Sequence, residues 1–304
     1  MDKVKNTLDK WLEGNYPDYS HIERLYHYTS VDTLECLTRK DGDFLLTYYE
    51  DLNDWSEVNL GRKIIIECLQ DAFPVFKDKG FRDRINRGFD EYICTKRYFM
   101  PWIASFSAEC DSLYQWIAYT PREVGGVAVS LNKHGLIKKV QAINTAYGGS
   151  QWDEDPKPLI YLVPCLYLKR EEGVLVEFLR FLIGPYLEGV GAQCKTSEGF
   201  LTALFEVVMI GSSMIKHEAF HFEREWRVVL LPNEESRMKD SFVLNGKKRV
   251  WSGLWGRDRS LGGNLKEVMI SPHGDKLLYE KVKWIRDTRS LSFGITRSAA
   301  PFVG

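Results

Sequence analysis

No stretch of the chain approaches the roughly 20 consecutive apolar residues that a membrane helix needs, so no membrane association is expected. Met1 to Glu13 is charged and lacks the apolar centre of a secretory signal, which points to a cytoplasmic protein. None of the six cysteines forms a C-x-x-C pair, and none stands beside a histidine at zinc spacing. Most sit among apolar neighbours, as Cys68 and Cys165 do, and read as buried thiols of a reducing compartment. No sign of charge dominates: the formal net charge is -1, which argues against a general nucleic-acid binder. The basic run from Lys77 to Arg87 is broken by Asp78 and Asp83 and reads as a solvated helix face. Internal repeats and low-complexity tracts are also missing.

What is present is an ordinary globular composition, with 44% hydrophobic and 27% charged residues over 304 positions, enough to bury a full core without covalent staples. Aromatics reach 13%, a supply that serves cores and ligand clefts alike. Residues 1–20 read as an N-terminal amphipathic helix, ended by Gly14, and a linker. Residues 21–304 read as one domain with helical insertions near 60–100 and 170–216. Strands are expected at Leu25–Ser30, Phe44–Tyr49, Trp102–Ser107, Gly125–Leu131, Pro158–Tyr167, Glu223–Leu231 and Lys266–Ile270. The prolines of the fifth suggest an edge. Helices are expected after Ser30, at Leu60–Phe76, Phe81–Tyr98, Leu113–Ala118, Gly173–Leu187 and Gly199–Lys216. Strands and helices do not alternate regularly, so the fold class is α+β with a mostly antiparallel sheet.

Several clusters carry chemistry. In Glu223-Arg224-Glu225-Trp226-Arg227, strand alternation puts Glu223, Glu225 and Arg227 on one face and Trp226 in the core. Two carboxylates roughly 7 Å apart can grip one sugar, with Arg227 keeping both ionised. A surface ion-pair ladder accounts for the same pattern. His27-Tyr28-Thr29-Ser30 closes the first strand: an imidazole can donate to a ribose hydroxyl and a tyrosine ring can stack on a base, while core packing is the alternative. Ser105-Phe106-Ser107 presents two hydroxyls on one face, and Trp116 and Tyr119 follow at helical spacing. Leu52-Asn53-Asp54-Trp55-Ser56-Glu57 reads as a turn and capping box, with Glu57 structural. His217-Glu218-Ala219-Phe220-His221 meets the H-E-x-x-H pattern of a zinc hydrolase, but the residues after it alternate like a strand and no metal ligand is assigned.

The order of these clusters, from about Leu25 to about Pro272, resembles a bacterial family long classed as a domain of unknown function and similar to the ADP-ribosyltransferase superfamily. That resemblance implies a split, mostly antiparallel sheet with helical insertions, and NAD as substrate. It implies Glu225 as the catalytic glutamate on the ribose 2′-hydroxyl, Glu223 as the acceptor-orienting residue, and His27 as the ribose anchor. Tyr28, Thr29, Ser105, Ser107, Trp116 and Tyr119 would frame the NAD site. His27 stands where the arginine-modifying branch has Arg, and Phe106 where it has Thr, which leaves RNA, DNA or protein open as acceptor. The resemblance further implies a toxin or phage-defence effector with an antitoxin or inhibitor protein. A nucleotide-binding module without turnover is the first alternative, and a zinc hydrolase through His217-Glu218-x-x-His221 is the second.

Overall fold

The computed structural model describes residues 10–14, 16, 19–40, 42–53, 56–83, 85–87, 100–146, 159–167, 173, 175–181, 198–231, 241–251 and 264–301. In chain order the elements are β1 (Arg24–Thr29), α1 (Val31–Leu37), β2 (Leu45–Tyr48), α2 (Ser56–Ala72), β3 (Trp102–Ser107), α3 (Leu113–Tyr119), β4 (Val127–Asn132) and α4 (Lys133–Ala146). They continue with β5 (Leu159–Pro164), β6 (Leu166–Tyr167), α5 (Glu198–Met214), β7 (Ile215–Lys216), a 3-10 turn (Glu218–Glu223) and β8 (Glu225–Leu231). The last are β9 (Phe242–Leu244), β10 (Lys247–Trp251), β11 (Leu265–Ile270), α6 (Lys276–Thr288) and β12 (Gly294–Arg297).

Ten strands form one sheet, mixed with helices as the α+β pattern requires. Every pairing in it is antiparallel except β11 with β12. Strand β3 is its branch point. One edge of β3 pairs with β8 along its whole length, from Trp102↔Leu230 to Ser107↔Glu225. The other edge is shared: β1 meets it at Ser107, and β2 meets it at Ile103 and Trp102. Between those contacts β1 and β2 part, leaving a fork beside Ala104–Phe106. Strand β5 pairs only with β8 among the described residues, in keeping with Pro164 at its end.

Paired residues share a face of an antiparallel sheet. Tyr26, Ser107 and Glu225 therefore form one row, with Ser105 and Arg227 beside it. His27, Phe106 and Trp226 lie on the opposite face. That second face is core: Phe106 and Trp226 are buried, and the His27 ring sits 5.3 Å from Phe44 and 5.5 Å from Phe106. Helices α2 and α5 pack on each other, and α5 packs on β5 and β8. Glycine permits this crossing: a Cβ at Gly61 would lie 2.6 Å from the Ser212 carbonyl, and one at Gly211 would lie 2.4 Å from Ile65 Cδ1. The close approach brings Glu57, in the first turn of α2, over β8.

Several boundaries differ from expectation. The helix expected to reach Lys216 stops at Met214, and Ile215–Lys216 pairs with β6 as a short parallel strand. The strand expected from Glu223 starts at Glu225 because Arg224 adopts a left-handed backbone (φ 41) that ends the 3-10 turn. Helix α4, the β9–β10 hairpin, α6 and β12 were not among the expected elements. Residues 1–9, 88–99 and 182–197, where helices were also expected, lie outside the described residues. Of the described cysteines, Cys165 alone is buried; Cys36 and Cys110 are exposed, so the buried-thiol expectation fails for those two. No helix among the described residues is long and apolar enough to cross a membrane.

Candidate functional site

A cleft of about 900 Å³ opens at the fork, at the upper end of the range for ligand sites. Its lining includes His27, Tyr28, Thr29, Ser105, Tyr119, Glu223 and Glu225 of the expected residues. Ser107 and Trp116 are not in it.

At the floor is a buried charge cluster. Arg227 donates from Nε to Glu225 Oε1 at 2.9 Å, from Nη2 to Glu225 Oε2 at 3.2 Å and to Glu57 Oε2 at 2.5 Å, and from Nη1 to the Ser213 carbonyl at 2.9 Å. Lys216 donates to Glu225 Oε2 at 2.5 Å and to Glu223 Oε2 at 2.7 Å, and lies 3.8 Å from Glu57 Oε1. Side-chain exposure is 4% for Glu225, 3% for Arg227 and 5% for Lys216. A surface ion-pair ladder is thus overturned: both faces of β8 are buried. With all five groups ionised, three carboxylates against two cations leave one formal negative charge at the base of the cleft.

Burial alone would raise the Glu225 pKa, but Arg227 and then Lys216 outweigh it and hold the carboxyl down at about 2. Burial likewise opposes the charge on Lys216, yet Glu225 beside it raises its pKa. Glu57 goes the other way: burial pushes its carboxyl up against the pull of Arg227 and Lys216, so Glu57 takes a proton before Glu225 as pH falls. The backbone around Glu225 is tied down too. Its N–H donates to the Tyr167 hydroxyl at 2.8 Å, and its carbonyl accepts from Cys165 N at 2.8 Å.

Glu223 reaches the same lysine from outside the strand, at the end of the 3-10 turn, and Tyr119 Oη lies 3.5 Å from its Oε2. His27 enters the cleft from the core face through the fork. Its Nδ1 stands 3.0 Å from the Ser105 carbonyl; a carbonyl only accepts, so Nδ1 carries the proton. Burial, with the charge of Arg249 adding to it, lowers the pKa of His27 and favours the neutral ring, whose Nε2 then accepts. Tyr28 lines the cleft with its hydroxyl already engaged, donating to the Glu109 carbonyl at 2.8 Å and accepting from Ser112 N at 3.0 Å. Thr29 is buried at the end of β1.

Two expected residues are structural where they stand. The Ser107 hydroxyl donates to the Glu223 carbonyl at 2.6 Å and accepts from Glu109 N at 3.0 Å, bracing the turn before β8. Trp116 is fully buried, meets the Tyr28 ring edge-on at 4.7 Å and donates from Nε1 to Asp111 at 2.7 Å. It is core, with no face for a nicotinamide. The H-E-x-x-H segment is a 3-10 turn, not an α-helix, so residues four apart do not share a face. His217 Nδ1 accepts from Ala219 N as the cap of that turn, and His221 Nδ1 pairs with the Glu218 carbonyl. No group of three or more metal-ligating side chains is assembled among the described residues.

Glu57 and Lys216 join the site without a sequence motif that marks them for it. Asp54 and Trp55 of the presumed capping box lie outside the described residues, and the Glu57 carboxylate reaches 170 positions along the chain to Arg227. Comparison of the chain with protein-family models, with curated proteins and with solved structures finds no match.

Proposed function

We propose that the chain is an NAD-dependent ADP-ribosyltransferase with Glu225 as its catalytic carboxylate, on an ADP-ribosyltransferase-like split sheet. The observation that carries this reading is a buried glutamate held by Arg227 and Lys216 at the floor of a forked cleft. Cleaving the nicotinamide–ribose bond sends the bonding electrons out with nicotinamide and leaves positive charge on the ribose C1′. A preorganised carboxylate in a water-poor site stabilises that charge as it develops. In this account Glu225 Oε2 exchanges Lys216 for the ribose 2′-hydroxyl, while Lys216 stays on Glu223 at 2.7 Å. Arg227 holds Glu225 Oε1 in place throughout. His27 Nε2 accepts from a ribose hydroxyl, Tyr119 forms part of the wall by Glu223, and Ser105 borders the fork.

An acceptor oxygen or nitrogen then bonds to C1′ and loses its proton, with Glu223 placed to orient it. The acceptor is a protein or a nucleic acid, and water in its place gives NAD hydrolysis. Such an activity suits a toxin or defence effector held in check by an inhibitor protein. One observation favours a second reading, a nucleotide-binding module without turnover: both Glu225 oxygens are already taken by Lys216 and Arg227. Nicotinamide release from NAD, measured with and without RNA, DNA and cell lysate, separates the two. Release supports the transferase, and dependence on one additive identifies the acceptor class. ADP-ribose binding with no release under any condition supports the module.

A further inference from the structure

The β9–β10 hairpin sets cations on the cleft wall at a place the charge cluster does not use. Asn245 (φ 52) and Gly246 (φ 75) both take the left-handed backbone that a two-residue Asn-Gly turn needs. Strand β10 leaves that turn as Lys247-Lys248-Arg249, and alternation sends the middle residue away from the other two. Lys247 and Arg249 line the cleft, while Lys248 Nζ lies over the Tyr48 ring, 4.9 Å from its centroid. The register Arg249↔Thr47 seats Arg249 on β2, beside the fork, where its Nη1 donates to Thr47 Oγ1.

Beyond Thr47 the guanidinium has no hydrogen-bond partner among the described residues, and Asp51 acts on it from beyond ion-pair distance. Arg249 Nε is buried and has no hydrogen-bond partner among the described residues. Neither Arg249 nor Lys247 forms an ion pair with any described carboxylate; Lys247 Nζ rests on Asn53 Oδ1 at 2.8 Å. Asp43, which also lines the cleft, has its Oδ1 occupied by Phe44 N. A buried N–H left unmade is costly. A planar fork of donors beside an ammonium group matches the oxygens of a phosphate.

We propose that Arg249 and Lys247 form a phosphate-binding subsite, so that the ligand of this cleft carries a phosphate or diphosphate at the β10 end. The identification with the diphosphate of NAD rests on the transferase reading; the subsite itself stands on the β10 geometry.

The test is calorimetric titration of the full chain with ADP and with adenosine, which differ only in the diphosphate. ADP is expected to bind about tenfold or more tightly than adenosine, as charge-assisted contacts predict. Added salt should shrink the gap, Arg249→Gln should abolish it and Lys247→Gln should reduce it. ADP binding no better than adenosine, no binding by either, or an ADP advantage that survives Arg249→Gln overturns the proposal. Should Arg249→Gln fail to fold, the wild-type comparison and Lys247→Gln decide alone. Phosphate-dependent binding without nicotinamide release keeps the subsite and removes the transferase. Nicotinamide release without a phosphate advantage does the reverse.

Discussion

Replacing Arg227 by Met keeps the length of the side chain and removes the cation that organises the floor of the cleft. Four hydrogen bonds go with it, to Glu57, to both oxygens of Glu225 and to the Ser213 carbonyl. The buried carboxylates of Glu57 and Glu225 are then left to share Lys216 with Glu223. Removing one partner of a buried ion pair costs about 3–5 kcal/mol, because the remaining charge is stranded away from water. At about 2 °C per kcal/mol for a chain of this size, the melting temperature should fall by roughly 6–10 °C. The stranded carboxyls gain raised pKa values, so the folded variant binds a proton that the unfolded chain, titrating at about 4.3, does not. Relative to wild type, which shares the opposing titration of His27, the variant should therefore gain stability as pH is lowered from about 7 to about 5, a window in which Glu225 of the wild type, held at about 2, does not titrate. Adding Glu57→Gln to Arg227→Met should recover about 1 kcal/mol or more, since contacting residues couple by that order. Thermal scans of the four proteins of the cycle at the two pH values measure all of this. A single-variant loss under about 1 kcal/mol, or strict additivity in the cycle, would refute the buried-network account.

Other outcomes follow from the same geometry. Gly61→Ala should cost about 1–3 kcal/mol by pressing a methyl into the Ser212 backbone, and by shifting α2 it should lower activity through Glu57; unchanged stability in a denaturant titration contradicts the close crossing. The pKa of His27 is lowered, so as pH falls below about 6.5 the unfolded chain protonates first and the fold loses stability. Wild type should consequently lose more stability between about pH 7 and about pH 5 than His27→Gln does, and equal losses argue that its half-buried setting does not hold the ring neutral. His217→Ala should leave nicotinamide release unchanged and insensitive to chelators; stoichiometric zinc lost with that substitution would restore the hydrolase reading.

The alternating and β-branched segments announced themselves: β1, β2, β3, β4, β8 and β11 all stand within a few residues of where the sequence placed them. The turn before β8 did not, because a left-handed Arg224 carries no sequence signal of the kind Gly would give. The Asn245-Gly246 pair is a hairpin signal in the sequence, but nothing in the pattern shows that the two cations of β10 face a cleft. Face alternation correctly separated His27 from Tyr28, and Ser105 with Ser107 from Phe106. Chain pattern offers no sign that a fork lets His27 reach the cleft from the core side, since the fork is a property of three strands competing for β3. Glu57 was invisible for a similar reason: a glutamate in a first helical turn looks like a cap, and only the glycine crossing of α2 and α5 carries it to Arg227. Trp116 and Ser107 show the converse, residues of suggestive type whose partners turn out to be Asp111, Glu109 and the Glu223 backbone.

The most direct test of the central claim is nicotinamide release from NAD by wild type and by Glu225→Gln, with melting temperature measured alongside because the substitution touches the buried cluster. The account predicts release by wild type, a fall of at least about a hundredfold in the variant, of the order seen when a preorganised electrostatic group is removed, and a variant that remains folded. Release that persists in folded Glu225→Gln would contradict it.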